Sequence, residues 1–450
     1  MRLNSSYKEK IKFIFSVFVF LQIVIIIFYF KFGNIYQKPD LIQDSSKLNL
    51  YHQKLSYFKN LFDNLIPESE ALLRAIRNDI VALLFLISKK LRISSKDLFK
   101  QNNLTNVDAE NFLNHKIKTI AVLLIACNRS GVERTIKQII NYRSNSTLWP
   151  LIVSQGCDDI YTKKLIMKYR KYIYSFQINI PEINVSNVKP QFRGYYKISA
   201  HFKLALDFAF KSTSFDALIV VEDDLDIAPD FFEYFSATYR LLKEDATLYC
   251  VSAFNDNGRP SLINRNEYST LYRTNFFPGL GWMLLRSTWL EIRKDWPLAF
   301  WDDYMRSLII RRSRSCIRPE ISRSSTFGQI GVSNGQFFKK YLQSIYLNNV
   351  VTNFSSLDLS YLYIDNFNSM WTNEIEEASQ VDWRNLLSGG ENFKSPVKII
   401  YFQINELQEI CDNFGLMSDL RDGIPRTAYN GVITFYWQST RVFLVPAFAL

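Results

Sequence analysis

The chain reads Ala-Leu-Ile-Val-Val-Glu-Asp-Asp-Leu-Asp from Ala217 to Asp226. The apolar first half is typical of a strand that is buried on both faces of a parallel sheet. Three consecutive acids follow it, Glu222, Asp223 and Asp224. Ligands of open α/β sheets bind at the carboxyl ends of strands, and adjacent carboxylates repel one another unless a cation shares them. The stretch therefore indicates a cation-assisted site at a strand end. The alternative is a solvated acidic turn.

Strand patterns alternate with helical patterns around this stretch. In order they are strand 120–126, helix 132–142, strand 151–154, helix 196–210 and strand 217–221. Apolar strands separated by helices predict an α/β fold with a largely parallel, doubly wound sheet. We place this catalytic domain at residues 117–345.

A smaller mixed C-terminal domain is predicted at residues 346–450. Its patterns indicate a strand at 397–403, a helix at 405–414 and another strand at 432–437. The chain is long enough for a large domain and a smaller one.

The N-terminal region predicts a membrane anchor. Residues 13–30 are almost entirely apolar, which is near the lower length limit for a bilayer span. The basic tail at 1–12 places the N-terminus in the cytosol and the rest across the membrane. A cleaved signal peptide is the alternative, but bulky residues stand where small ones should mark cleavage. Residues 31–116 are predicted to form a stem and linker.

The chain carries a net charge of +11, which suits an anionic ligand or a nucleic acid. A translocated chain rarely meets nucleic acid, so we expect no such partner. Six arginines lie close together in one segment. They are Arg306, Arg311, Arg312, Arg314, Arg318 and Arg323. The segment forms either a solvated loop or an electropositive border to an anionic substrate site.

A second acidic pair, Asp302 and Asp303, lies among aromatic residues between Trp296 and Tyr304. Aromatic rings can stack on a sugar and lower the local dielectric around a carboxylate, which can then serve as a general base. The alternative is a helix N-terminus with Asp302 as its cap. Together, the two acidic clusters suit metal-assisted group transfer.

The chain has five cysteines, and none forms a CxxC pair, so a zinc site is not expected. In an oxidising compartment four of the five should be disulfide-bonded, leaving one free thiol. The spacing does not decide the pairing.

From about residue 120 to about residue 445, the sequence resembles the N-acetylglucosaminyltransferase I family. The resemblance is carried by long motifs in the same order. They are Val220–Phe235 with its Glu-Asp-Asp, Phe276–Trp282, Phe300–Asp303 and Arg318–Arg323. Motifs of this length are highly specific, whereas the anchor and stem match in architecture alone.

The resemblance implies a GT-A type nucleotide-sugar-binding domain in a single-pass type II protein of the Golgi membrane, with the catalytic domain in the lumen. The implied donor is UDP-N-acetylglucosamine and the implied cofactor is Mn²⁺. The family transfers N-acetylglucosamine with inversion, in β-1,2 linkage, to the α-1,3-linked mannose of high-mannose N-glycans on glycoproteins. This step initiates the synthesis of complex and hybrid N-glycans.

The resemblance also implies roles for individual residues. Asp224 looks like the metal ligand, Glu222 and Asp223 look like contacts to the nucleotide sugar, and Asp302 looks like the catalytic base. Three further positions resemble donor-binding residues: Arg129, His201 and Ser333. The family's disulfides map onto Cys127 with Cys157 and Cys250 with Cys316, which leaves Cys411 free.

Two positions depart from the family pattern. Asn128 and Gly156 stand where the family usually has aspartate, and the second aspartate is expected to bind the uracil. We therefore expect a raised Michaelis constant for the donor, which Gly156→Asp should lower unless Asp158 or Asp159 has taken over the contact.

Two other functions remain open. One is the sister class that modifies O-linked mannose on proteins, although that class carries a large extra module for which the stem has little room. The other is an inactive, membrane-anchored glycan-binding protein. The presence of both Asp224 and Asp302 argues against inactivity.

Overall fold

The computed structural model describes residues 120–447, apart from residues 182, 184, 212, 330, 333, 334, 336 and 390–392. These residues fall within one compact unit, Leu104–Leu450. The predicted tail, anchor and stem and the predicted donor-binding residue Ser333 lie outside the described residues. In the part that is described, no helix is both long and apolar enough to cross a membrane.

The described strands form one large sheet, one smaller sheet and two short ribbons. The strands are β1 Ile120–Ala126, β2 Leu151–Gln155, β3 Tyr174–Gln177, β4 Ala217–Glu222, β5 Leu225–Ile227, β6 Leu248–Ser252, β7 Leu271–Thr274, β8 Trp282–Leu285, β9 Ser315–Pro319, β10 Ser324–Thr326, β11 Ser379–Gln380, β12 Val397–Tyr401, β13 Leu420–Arg421, β14 Ile424–Pro425, β15 Ile433–Trp437 and β16 Thr440–Pro446.

The described helices flank these strands. They are α1 Val132–Tyr142, α2 Ile160–Met167, α3 Arg193–Lys211, α4 Phe231–Glu244, α5 Arg286–Ile292, α6 Trp301–Arg306, α7 Leu308–Arg311, α8 Ile364–Glu377, α9 Trp383–Ser388 and α10 Ile404–Phe414. A short 3-10 turn at Pro190–Phe192 leads into α3. The helical periodicity therefore predicted α1 with its observed bounds, and α3 to within three residues at its start.

The large sheet has eight strands in the order β3-β2-β1-β4-β8-β6-β9-β7. Its first four strands are parallel, as predicted. The expectation of a largely parallel sheet is wrong for the other half, where β8 runs antiparallel to both β4 and β6, and β7 runs antiparallel to β9. In the same half, β6 and β9 are parallel. The connection 253–270 between β6 and β7 contains no helix, and the chain reverses direction across it.

Strand β4 is buried on both faces, as its apolar run predicted. Ile219 and Val221 pack in a cluster with residues of α1 and α4, on one face of the sheet. Leu218 and Val220 pack on the other face, in a cluster with Phe202 of α3. Because side chains alternate along a strand, helices on both faces leave the carboxyl end of β4 as its accessible part.

The smaller sheet has the order β11-β12-β16-β15 and packs against α9 and α10. It confirms the mixed strand and helix pattern predicted for the C-terminal region. Phe443 and Val445 of β16 belong to the same buried cluster as β1 and α4. The domain boundary near residue 345 stays a prediction.

Both disulfides implied by the resemblance are present. Cys127 and Cys157, at the ends of β1 and β2, have Cα atoms 4.8 Å apart, and Cys250 and Cys316, paired across β6 and β9, have Cα atoms 4.7 Å apart. Cys411 is a free, buried thiol in α10.

Candidate active site

The predicted acidic site lies where β1 and β4 end side by side. Glu222 is the last residue of β4 and pairs with Ile125 of β1. The backbone N–H of Cys127, just beyond β1, donates a hydrogen bond of 2.9 Å to Asp223. The fold therefore fixes the Glu-Asp-Asp turn against the neighbouring strand, at the edge of the sheet where ligands bind in α/β proteins.

Arg129 is the basic partner of these acids. Its Nη1 lies 2.5 Å from Oδ2 of Asp224, and its Nε lies 3.3 Å from Oδ1 of Asp223. A guanidinium can bridge two carboxylates because its donors form a rigid fork. The structure thus brings the predicted donor-binding residue Arg129 into direct contact with the predicted metal ligand.

The three acids are largely withdrawn from water, so the alternative of a solvated turn is wrong. Burial, together with the neighbouring carboxylates, raises the pKa of Glu222 to about 8. Burial raises the pKa of Asp223 to about 6, and it also raises the pKa of Asp224 in spite of Arg129. One guanidinium among three carboxyl groups leaves a local excess of acid, which favours binding of a cation.

Asp226, the last residue of the opening stretch, has a separate role. Arg134 donates to its carboxylate through Nε at 2.6 Å, and Gln138 donates through Nε2 at 2.7 Å. Both partners lie on α1. Asp226 therefore holds α1 against β5 and stays outside the cluster formed by Glu222, Asp223 and Asp224.

Asp302 lies in the first turn of α6. The residue that precedes this helix is Phe300, and no side chain caps the helix, so the prediction of Asp302 as an N-cap is wrong. Its Oδ2 lies 2.6 Å from Nη1 of Arg306, and its side chain is 41% exposed. The negative charge of Asp302 contributes to the raised pKa of Glu222. Asp302 therefore lies near enough to the acids at the end of β4 for its charge to act on Glu222.

The aromatic residues around Asp302 divide into two groups. Trp296 and Trp301 are buried, and Trp301 stacks on Phe202 in the core with ring centroids 4.2 Å apart. These tryptophans cannot stack on a sugar, in contrast to the prediction for this segment. Phe300 is 37% exposed instead, and it stacks on Tyr195 at 4.7 Å. The sequence analysis did not single out Tyr195, although it lies in the helix that carries His201.

His201 lies beside the end of β2. Its Nε2 is 2.8 Å from Oγ of Ser154, and burial lowers its pKa to about 4. A Cβ atom at Gly156 would lie 2.3 Å from Nδ1 of this ring. His201 thus occupies the space into which a side chain at position 156 would project. An aspartate at position 156 would have to displace the imidazole, so the expected gain in donor binding in Gly156→Asp stays a prediction that requires His201 to move.

Neither Asp158 nor Asp159 is well placed to make the contact expected of an aspartate at position 156. Asp159 caps α2, where its Oδ2 accepts a hydrogen bond of 2.6 Å from the backbone N–H of Thr162. Asp158 is exposed and lies 3.3 Å from Nε2 of Gln177. His201 is the polar group that borders the glycine.

Most of the six arginines are held within the fold, although Arg312 is exposed and Arg306 borders Asp302. Arg306, Arg311, Arg318 and Arg323 are buried. Arg323 pairs with Asp230 at 3.1 Å in the core, and Arg314 pairs with Glu291 at 2.7 Å. The ion pairs of Arg314 and Arg323 stabilise the fold, whereas Arg306 holds Asp302.

The loop after β10 closes over the acidic turn, a feature that the sequence analysis missed. Phe327 donates its backbone N–H to the carbonyl of Asp224 at 2.9 Å. A Cβ atom at Gly328 would lie 2.0 Å from Oδ2 of Asp224 and 2.4 Å from Nη1 of Arg129. A glycine is needed there because the backbone approaches the site so closely.

A mixed α/β fold with an acidic turn at a strand end and a second, more exposed acid nearby suits a glycosyltransferase, and the comparisons show that this is the class of the chain. The chain belongs to the GNT-I family, whose model matches residues 16–450. It is 39% identical over 328 residues to an Arabidopsis thaliana protein named alpha-1,3-mannosyl-glycoprotein 2-beta-N-acetylglucosaminyltransferase. That alignment covers 72% of this chain and 73% of the relative.

Solved structures show a much weaker likeness. The mannosyltransferase PcManGT from Pyrobaculum calidifontis, in complex with GDP-Man and Mn2+, is 14% identical with a TM-score of 0.31, over 47% of this chain and 60% of that chain. TarS 1-349 from S. aureus, in complex with UDP-GlcNAc, is 11% identical with a TM-score of 0.30, over 57% of this chain and 66% of that chain. At these TM-scores the likeness assigns no function.

Proposed function

We propose that this protein transfers N-acetylglucosamine from UDP-N-acetylglucosamine, with inversion and in β-1,2 linkage, to the α-1,3-linked mannose of high-mannose N-glycans. This reaction would initiate the synthesis of complex and hybrid N-glycans. Family membership and the name of the Arabidopsis relative support the proposal. The observation that carries it is the acidic turn at the end of β4, where Asp224 contacts Arg129, together with the more exposed Asp302 on α6, whose charge acts on Glu222.

Mn²⁺ is the proposed cofactor, and Asp224 would hold it. Among the described residues, no group of three or more His, Cys, Asp or Glu could hold a metal on its own. The residues nevertheless fit a hard divalent ion, because such an ion is often bound by one or two carboxylates together with substrate phosphates. The excess of acid around Asp224 also favours it. When bound, the ion would neutralise the charge that develops on the diphosphate leaving group.

Glu222, Asp223 and Arg129 would position the donor. Asp223 is fixed by the backbone of Cys127, and Arg129 is fixed by Asp223 and Asp224, so neither side chain has to be ordered on binding. His201 would border the nucleotide as a neutral ring, since burial keeps its pKa near 4. Ser333 remains a proposed donor contact.

Asp302 would be the catalytic base. The hydroxyl of the acceptor mannose gives its proton to this carboxylate while its oxygen attacks the anomeric carbon of the donor sugar. The bond to the diphosphate breaks on the opposite face, so a single displacement inverts the anomeric centre. Arg306, 2.6 Å away, holds the carboxylate in one orientation.

The anchor at residues 13–30 supports a location in the Golgi membrane as a single-pass type II protein with a luminal catalytic domain. Both disulfides fit an oxidising lumen. A GT-A type domain at 117–345 and a mixed domain at 346–450 remain the proposed division.

The test is a transfer assay with the full-length chain in detergent, UDP-N-acetylglucosamine, Mn²⁺ and a five-mannose N-glycan. We expect one added N-acetylglucosamine that a β-N-acetylglucosaminidase removes, and no product when the metal is chelated. A product on an O-mannosyl peptide with none on the glycan would assign the sister activity instead. Binding of the glycan without transfer to either acceptor would indicate a glycan-binding protein.

A further inference from the structure

Three aromatic rings form a continuous surface beside Asp302. Phe300 stacks on Tyr195 with ring centroids 4.7 Å apart and an interplanar angle of 29°. Phe192, from the turn before α3, meets the edge of Phe300 at 5.9 Å and Tyr195 at 6.4 Å. We call these three residues the aromatic platform.

The aromatic platform is open to solvent, although the segment next to it supplies the core. Phe192 and Phe300 are each 37% exposed, whereas Trp301 is 8% exposed. Phe300 also has φ +54°, in the left-handed region that bulky residues rarely adopt. Strained residues of this kind cluster at functional sites, and here the strain keeps a large ring at the surface, two residues before Asp302.

The charge of Asp302 reaches the platform. Burial raises the pKa of the Tyr195 phenol first, and the carboxylates of Asp302 and Asp303 raise it further. The platform therefore lies on the side of the site where the base acts. Arg129 and Asp224 contact one another beyond the ends of β1 and β4.

We infer that the aromatic platform binds the apolar face of the acceptor hexose and presents one of its hydroxyl groups to Asp302. A sugar ring has one face rich in C–H groups, which aromatic side chains bury well. Binding sites for small molecules combine aromatic surfaces with a few polar groups that fix the orientation of the ligand. The inference rests on the proposed function, because the occupant is the acceptor of that reaction.

The experiment compares the full-length wild-type protein with Phe300→Ala, Phe300→Trp and Tyr195→Leu, using a five-mannose glycan and UDP-N-acetylglucosamine. Losing one aromatic contact should raise the acceptor Michaelis constant about 2-fold to 12-fold, with an unchanged donor constant. Phe300→Trp should keep the acceptor Michaelis constant of the wild type, because tryptophan retains a stacking ring. Tyr195→Leu removes an aromatic ring at a position with ordinary helical backbone. It therefore tests the platform even if Phe300→Ala fails to fold.

Leu298→Ala is the matched control, because Leu298 is a 75% exposed apolar residue two positions from Phe300. It should leave both constants unchanged. An unchanged acceptor constant in Phe300→Ala and Tyr195→Leu would overturn the platform while leaving the proposed function intact. An equal rise in the donor constant would overturn it too. If the wild-type protein makes no product, the proposed function fails and the platform fails with it.

Discussion

The two halves of the candidate site differ in burial and in how their carboxylates are held. At the end of β4, Asp223 is 8% exposed, and burial raises the pKa of all three acids there. On α6, the side chain of Asp302 is 41% exposed. The buried half gathers three carboxyl groups around one guanidinium, an excess of acid that favours a cation, whereas the exposed half keeps a carboxyl group within reach of solvent and substrate.

The supports of the two halves differ in the same way. The acids of β4 lie on a strand packed between two helical layers, so their positions are set by the core. Asp302 lies on a six-residue helix that begins after a left-handed Phe300, and its orientation depends on Arg306. We therefore expect changes in the first half to act on metal and donor, and changes in the second half to act on turnover.

The largest effect is expected from Asp224→Asn. Loss of one charged ligand oxygen should abolish Mn²⁺-dependent transfer, because the remaining amide is a poor ligand for a hard cation. The fold should persist, since Asp224 lies beyond the end of the strand. Transfer rate, thermal midpoint and donor binding with and without Mn²⁺ are the measurements.

Asp158→Asn is the control for Asp224→Asn, because it removes an exposed carboxylate from the same side of the sheet. It should keep wild-type activity. Full activity in Asp224→Asn would show that this residue is not the metal ligand.

Asp302→Asn should lower turnover by roughly 10²-fold to 10⁴-fold, the usual cost of losing a general base. Donor affinity should stay near wild type, because the donor contacts lie on the other half of the site. Single-turnover kinetics and calorimetric binding of the donor separate the two quantities.

Asp303→Asn is a close match, since Asp303 is the next residue, is 46% exposed in its side chain and also contacts Arg306, at 3.1 Å. The turnover of Asp303→Asn should fall far less than that of Asp302→Asn. If Asp302→Asn weakens donor binding and leaves turnover intact, Asp302 is a binding residue and the contrast between the halves fails.

Gly328→Ala tests how tightly the loop closes on the buried half. Its Cβ would lie 2.0 Å from Asp224, so either the loop or the carboxylate must move. We expect donor kcat/KM to fall by about tenfold, in line with an overpacking cost on the order of 1 to 3 kcal/mol.

Gly331→Ala is the control from the same loop, because its Cβ would have ordinary contact with Arg129, at 3.7 Å. It should be nearly silent. Equal losses in both variants would show that loop flexibility, and not the space beside Asp224, determines the effect.

The sequence predicted the parts of this site that follow from local patterns. The apolar run before Glu222 specifies a buried strand, and its position before three acids places them at a sheet end. Helical periodicity gave α1 with its observed bounds. The long motif around Asp302 indicated a base, and its role as a helix cap was excluded only by the structure.

What the sequence could not show depends on contacts between distant segments. Arg323 looks like a surface charge until Asp230, 93 residues earlier in the chain, is seen beside it in the core. The closeness of Gly156 to His201 is equally non-local, and it means that an aspartate at that position requires the imidazole to move. Composition gives the charges of these residues, but their partners are set by tertiary packing.

The last prediction concerns acid stability around His201, away from the acids of β4. Burial lowers the pKa of His201 from 6.5 to about 4, so the unfolded chain binds a proton that the folded protein refuses. Its contribution is fully present above pH 6.5 and is lost as the pH falls towards 4. At 1.36 kcal/mol per pKa unit, the contribution of His201 to the free energy of unfolding should drop by about 3 kcal/mol across this window. The raised pKa values of Glu222 and Asp223 act in the opposite direction, so the wild type has to be compared with a variant. Urea unfolding between pH 4 and 7.5 should give a less positive slope of the free energy of unfolding against pH in His201→Gln than in the wild type. Ser154→Ala, which removes the hydroxyl partner but keeps the imidazole, should shift stability at every pH and retain the slope. An unchanged slope in His201→Gln would mean that this imidazole is protonated as readily in the folded protein as in the unfolded chain.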